Sequence, residues 1–283
     1  MGIIISLLIL SLVIVVHEYG HYFVMRRNGI KVLEFTIGFG PTLWSYKLKS
    51  GTVFMVKPIP LGGYAKPIEE GPESMEAATR WVKFKVAMAG MLFNSIAACL
   101  TLTVFMYVTG AMPSVLVPFA QALVGWGLPR LLVPVVIGVI GSFGIWLATP
   151  VMVIWLLVTG LGNFVSGMAG PVGIIQLGSH MVGQAGPGAA ATAAPTIGDI
   201  ALNAAFFFYL LNSAVAGCNL LPLHPLDGSF IPVLLLDKFG GRFRQKLVNG
   251  YRLATMFLFI ALIVLAFYSD FARLFAGKVL GQQ

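Results

Sequence analysis

The chain has 283 residues, of which 58% are apolar and only 10% charged, with a mean hydropathy of +0.91 and a formal net charge of +8. A soluble domain carries about 25% charged residues, so this chain has too little polar surface to enclose a water-soluble core, and bilayer is its expected solvent. The positive balance does not point to nucleic acid. Ten of the eighteen Lys and Arg fall between Arg26 and Lys85, and five more between Lys238 and Arg252, all beside apolar runs. Cytoplasmic retention of basic loops requires that placement, so both blocks are expected on the cytoplasmic side.

Residues 3–24 form the first apolar run, long enough to cross as one helix and closed by Arg26 and Arg27. It lacks a basic leader and a small-residue cleavage site, so it is expected to be retained. Residues 31–66 are rich in β-branched and aromatic side chains, punctuated by Gly-Pro and Gly-Gly, and read as short strands and turns. The acidic piece EEGPESMEAATR reads as a surface loop leading into a second span over 86–110. Residues 113–129 are apolar but broken by Pro and Gly, which fits an interfacial or re-entrant segment as well as a crossing. Residues 131–164 are too long for one span, and a break near 148–150 would divide them into two. Residues 166–198, rich in Gly, Ala, Pro and Thr, read as an external loop. Further spans are expected over 201–223 and 253–269. The fold class is therefore an all-α polytopic membrane protein with a small β-rich insertion, having about six spans, or four if 131–164 lies at the interface. Cys99 and Cys218 sit in apolar runs and read as free thiols.

Within the first span stands His17-Glu18-Tyr19-Gly20-His21. One charged residue near a bilayer centre costs about 2.5–3.5 kcal/mol, so the cluster needs a compensating interaction. His17 and His21 are four apart and share a helix face, where two imidazoles reach one metal ion. Glu18 beside them is placed to act as general base on metal-bound water. A buried polar cluster bridging helices is the alternative. Two ligands leave a catalytic zinc one short. Asp227, in NLLPLHPLDGSF, lies at a similar depth: His17 is nine residues from Arg26, and Asp227 eleven from Lys238. An Asp-Gly turn also fits Asp227. His224 is a rival third ligand, a partner of a ligand, or a polar residue lining a wet cavity. His180 falls in the expected external loop, on the wrong side.

HEYGH together with N-L-L-P-x-x-x-L-D-G resembles the paired motifs of the site-two protease family of intramembrane zinc metalloproteases. GFGP (38–41), PLGGYAKP (60–67), AG-x-x-x-N (89–94) and GPVGI (170–174) are similar to segments of its bacterial branch, which cleaves membrane-bound anti-sigma factors. The resemblance covers most of 1–110 and 166–270. It implies one zinc ion held by His17, His21 and Asp227, with Glu18 as the base. It implies that Asn219 holds substrate or the oxyanion, that Asn94 supports substrate binding, and that the β-rich block, with Gly62 and Gly63, receives an extended substrate on its edge. It also implies a bacterial inner-membrane location, an active site towards the cytoplasmic leaflet, and a single-span substrate such as an anti-sigma factor. Lipid and an auxiliary membrane regulator are the other partners it implies.

The sequence departs from that branch in two places. Residues 111–165 are apolar where a PDZ-type domain is usual, and Met91 replaces the proline of AGP-x-x-N. Two other function classes remain open at this point. A metal transporter would need polar groups distributed across the bilayer, whereas Arg130 is the sole charged side chain between Lys85 and Asp199. An inactive scaffold would retain the motifs without cleavage.

Overall fold

The computed structural model describes residues 1–110, 117–144, 146, 148, 151, 170–185, 194–236, 239 and 241–275. Helix α1 spans Gly2–Arg27. It stops because Asn28 turns its side-chain amide back onto the Val24 carbonyl (2.7 Å) and Gly29 takes a positive φ of 78°. Four strands follow: β1 Val32–Phe39, β2 Trp44–Lys47, β3 Val53–Val56 and β4 Ile59–Pro67. They pair in the order β2-β3-β1-β4. The β1–β3 pair is parallel, with Phe35 opposite Phe54, and the β1–β4 pair antiparallel, with Ile37 opposite Gly63. The β-rich reading of residues 31–66 thus corresponds to one small sheet, with β4 on its edge.

Helix α2 covers Arg80–Thr109. Its start is set by Thr79, whose hydroxyl accepts from the Val82 N–H, and its end by Gly110 at φ 63°. Short helices α3 (Val117–Gly125) and α4 (Val133–Phe143) follow. They pack on the C-terminal half of α2 through Leu102, Met106, Ala120, Val133 and Ile137. Helix α5 spans Pro171–Val182, α6 Ile197–Asn219, α7 Phe230–Leu236 and α8 Gly241–Phe275. A reciprocal Thr196–Asp199 capping box opens α6.

Two further apolar clusters fix the frame of the site. Ile9 and Val13 of α1 pack on Phe207 and Leu211 of α6. Met25, Ile30, Val32 and Val86 lock the sheet against the ends of α1 and α2. Among the described residues, four helices are long and apolar enough to cross a membrane: α1, α2, α6 and α8.

The structure differs from the sequence reading in three places. The expected loop over 166–198 contains α5. Pro171 opens it without wasting a hydrogen bond, and the buried Asp270 carboxylate of α8 accepts from the Gly170 and Gly173 N–H groups (3.0 and 2.9 Å). The helix that carries the span expected over 253–269 extends beyond it, because it takes in the basic stretch from Gly241 onward. The span expected over 201–223 ends at Asn219, as the prolines that follow cannot continue it. Of the hairpin expected within 131–164, the first arm contains α4, and residues 152–164 lie outside the described residues.

Candidate metal centre and active site

His17 and His21 project from one face of α1 towards the start of α7. Asp227 meets them from the short 3₁₀ turn Asp227–Ser229 that precedes α7. His17 Nε2 lies 3.0 Å from Asp227 Oδ2, His21 Nε2 lies 3.1 Å from that same oxygen, and the two Nε2 atoms are 3.2 Å apart. The side chains are 10%, 12% and 22% exposed. They are the only such three-ligand group of His, Cys, Asp or Glu among the described residues. All three donors therefore converge on one point.

The triangle fits a zinc ion. Bonds of about 2.0–2.1 Å in tetrahedral geometry hold donor atoms about 3.3 Å apart, close to the spacings found. The hydrogen-bond pattern also suits a cation. His21 Nδ1 donates to the Val86 carbonyl (2.8 Å), so in its neutral form the imidazole turns the Nε2 lone pair towards a carboxylate oxygen and a second imidazole. Such a set is repulsive until positive charge enters it.

Close backbone passage makes room for the three donor side chains. A Cβ on Gly90 of α2 would lie 2.5 Å from His17 Cε1 and His21 Nε2, and 2.6 Å from His17 Nε2. Only glycine leaves the imidazoles free to point at a metal. A Cβ on Gly228 would strike the Leu220 backbone, so the Asp227–Gly228 turn folds tightly onto the end of α6. Tyr251 of α8 donates to the Pro222 carbonyl (2.7 Å), and the His224 N–H to the Thr255 hydroxyl (3.2 Å). Asp227 is thus held by both flanking helices.

Glu18 turns to the side of α1 that faces the sheet. A Cβ on Gly63 of β4 would lie 3.2 Å from Glu18 Cγ and 2.7 Å from the Thr36 carbonyl. The edge strand therefore runs directly over the glutamate. The neighbouring Gly62 is packed under the Phe39 ring. Asn219 is the last residue of α6, and one of its amide hydrogens goes to the Val215 carbonyl (3.0 Å). Asn94 is fully buried, one turn beyond Gly90 on α2.

His224 is not part of the ligand triangle. With His21, Asp227 and Arg252 it lines a cavity of about 310 Å³ beside the centre. A larger cleft of about 650 Å³ adjoins it, sharing Met75, Phe230, Val233 and Arg252. Of the possibilities open for His224, lining a cavity is the one its position matches. Gly90 and Arg252 were not singled out from the sequence. The signal for Gly90 was its place, four residues before Asn94, in AG-x-x-x-N.

Peptidase family M50 matches residues 5–263. A "Putative zinc metalloprotease" of Xylella fastidiosa is 40% identical over 109 residues, covering 35% of this chain and 24% of that protein. A Thermotoga maritima protein of the same description is 42% identical over 110 residues, covering 35% and 22%. The "Regulator of sigma-E protease RseP" of Escherichia coli is 42% identical over 89 residues, covering 31% and 20%. These alignments thus span no more than about a quarter of the relatives' own length. The family match, in contrast, runs through both the α1 histidines and the Asp227 turn, and the chain belongs to peptidase family M50.

Proposed function

We propose that this chain is a zinc endopeptidase working within the bacterial inner membrane, on a peptide bond in or near the transmembrane segment of a single-span protein such as an anti-sigma factor. One observation carries this reading. The three donor atoms of His17, His21 and Asp227 form a triangle with sides of 3.0–3.2 Å, with Glu18 next to it under the edge strand β4. A bound zinc ion would polarise the scissile carbonyl and lower the pKa of its water.

The other steps belong to the chain's own residues. Glu18 takes a proton from the attacking water and delivers it to the leaving nitrogen. Asn219, with one amide hydrogen still free of Val215, donates to the developing oxyanion. The outer edge of β4 at Gly62 and Gly63 pairs with the substrate as an added strand. This pairing matters because a helical peptide bond is hydrogen-bonded within itself and must be drawn out before water reaches it. The basic residues Arg26, Arg27, Arg242 and Arg244 orient the metal centre towards the cytoplasmic leaflet.

The test is reconstitution of the purified protein with single-span substrates in lipid nanodiscs. Cleavage that stops with a zinc chelator and returns with added zinc supports the reading. Cleavage indifferent to the chelator sinks it.

A further inference from the structure

A metal-bound imidazole that coordinates through Nε2 carries its proton on Nδ1, and that N–H needs an acceptor. His21 has one in the Val86 carbonyl. His17 Nδ1 is buried and meets no hydrogen-bond partner among the described residues. Asn94 is 0% exposed, and neither its Oδ1 nor its Nδ2 meets a partner either. A donor and an acceptor of matching chemistry are thus both left over.

The helix register brings them together. Successive contacts run in opposite directions along the two helices: Val86 meets His21, Ala89 and Phe93 meet Gly20, and Gly90 meets His17. Helices α1 and α2 are therefore antiparallel here. Gly20 lies against the Ala89–Phe93 turn and His17 against Gly90, so Asn94, one turn on from Gly90 along α2, is the next position beside His17. Val86, Gly90 and Asn94 are spaced by four and lie along one face. The first binds His21, the second lies against both imidazoles, and the third is next on the same stripe.

We propose that Asn94 is a positioning residue for the metal centre, accepting the His17 Nδ1–H through one buried water and so fixing the tautomer that turns Nε2 to the metal. The two side chains are not in direct hydrogen-bond contact, and a buried water shared by otherwise unpaired polar groups costs little. An amide suits the task because it donates as well as accepts, and so holds the water on both sides. A leucine of similar volume would fill the space but leave the imidazole N–H unpaired. Asn94 thereby does for His17 what the Val86 carbonyl does for His21. The inference rests on the zinc site of the proposed function.

The test compares wild type, Asn94→Leu and Asn94→Asp as purified full-length protein, using zinc alone as the probe. Chelator competition gives the zinc affinity. Nitrogen-15 NMR of labelled histidine in the zinc-loaded protein reports the His17 Nδ1–H. The expected result for Asn94→Leu is a 10–100-fold weaker affinity, the range for losing such a partner, with loss of the hydrogen-bonded Nδ1 proton. Asn94→Asp, which keeps an acceptor oxygen, retains both. Wild-type affinity in Asn94→Leu with an unchanged Nδ1 proton overturns the assignment. If Asn94→Leu does not fold, the wild type decides: its His17 Nδ1 proton must show cross-peaks to water and to the Asn94 amide, and their absence overturns the assignment. Zinc binding without cleavage in the wild type would count against the endopeptidase reading and leave this one standing.

Discussion

Gly90 and His17 approach so closely that a single methyl group on the glycine would lie 2.6 Å from the imidazole Nε2. The metal centre is thus shaped by a residue that contributes no donor atom. Gly90→Ala is expected to push His17 and His21 off the ligand triangle and lose at least 10-fold in zinc affinity. Overpacking of this kind costs about 1–3 kcal/mol of stability in addition. Chelator competition and thermal unfolding on the same sample measure the two effects, and unchanged zinc affinity would show that the helices part without cost.

Asp227 is the only anionic member of the triangle and the only one not on α1. Asp227→Ala is expected to weaken zinc binding more than the roughly 10–100-fold typical of losing an outer partner, and to abolish cleavage. His224→Ala should leave zinc binding within error of wild type, because His224 lines the neighbouring cavity. Zinc stoichiometry after dialysis at fixed free zinc separates the two cases. Equal losses would make His224 a ligand.

Gly63 passes over Glu18 with no room for a side chain. Gly63→Val is expected to displace the glutamate and the strand edge together. Cleavage should fall at least 100-fold, within the range for loss of a general base, while zinc content stays at one ion per chain. Full activity in this variant would remove β4 from the mechanism.

Asp270 is 1% exposed and accepts from Gly170 N–H, Gly173 N–H and the Arg273 guanidinium. It fastens α8 to the start of α5. Asp270→Asn keeps the shape but removes the charge, and is expected to lower stability by about 1.5–3 kcal/mol, the scale of hydrogen bonds to a charged group. The unfolding midpoint in detergent should drop accordingly. No change in that midpoint would mean that the capped helix end is satisfied in another way.

The parts of the site that obey local rules were legible in the sequence. The i, i+4 spacing alone puts His17 and His21 on one face, and the β-branched, glycine-punctuated text of 31–66 announces strands. Asp227 was reached through its depth and through resemblance, with His224 as a rival, and the folded loop between α6 and α7 brings Asp227 within 3.0–3.1 Å of the imidazoles. Long-range contacts were not legible. Helix α5 reads as a loop because its cap, Asp270, lies about 100 residues away in the chain. Gly90 reads as an ordinary helix glycine until α1 is laid against it.

The central claim is that Glu18 does chemistry beside a zinc held by His17, His21 and Asp227. Replacing one carboxylate oxygen with an amide tests it most directly. The measurement is zinc content and cleavage of one single-span substrate by Glu18→Gln and wild type, reconstituted side by side. One zinc per chain is expected in both, with the same unfolding midpoint and cleavage reduced by about 10²–10⁴-fold in the variant. A Glu18→Gln protein that keeps its zinc and cleaves at the wild-type rate would contradict it.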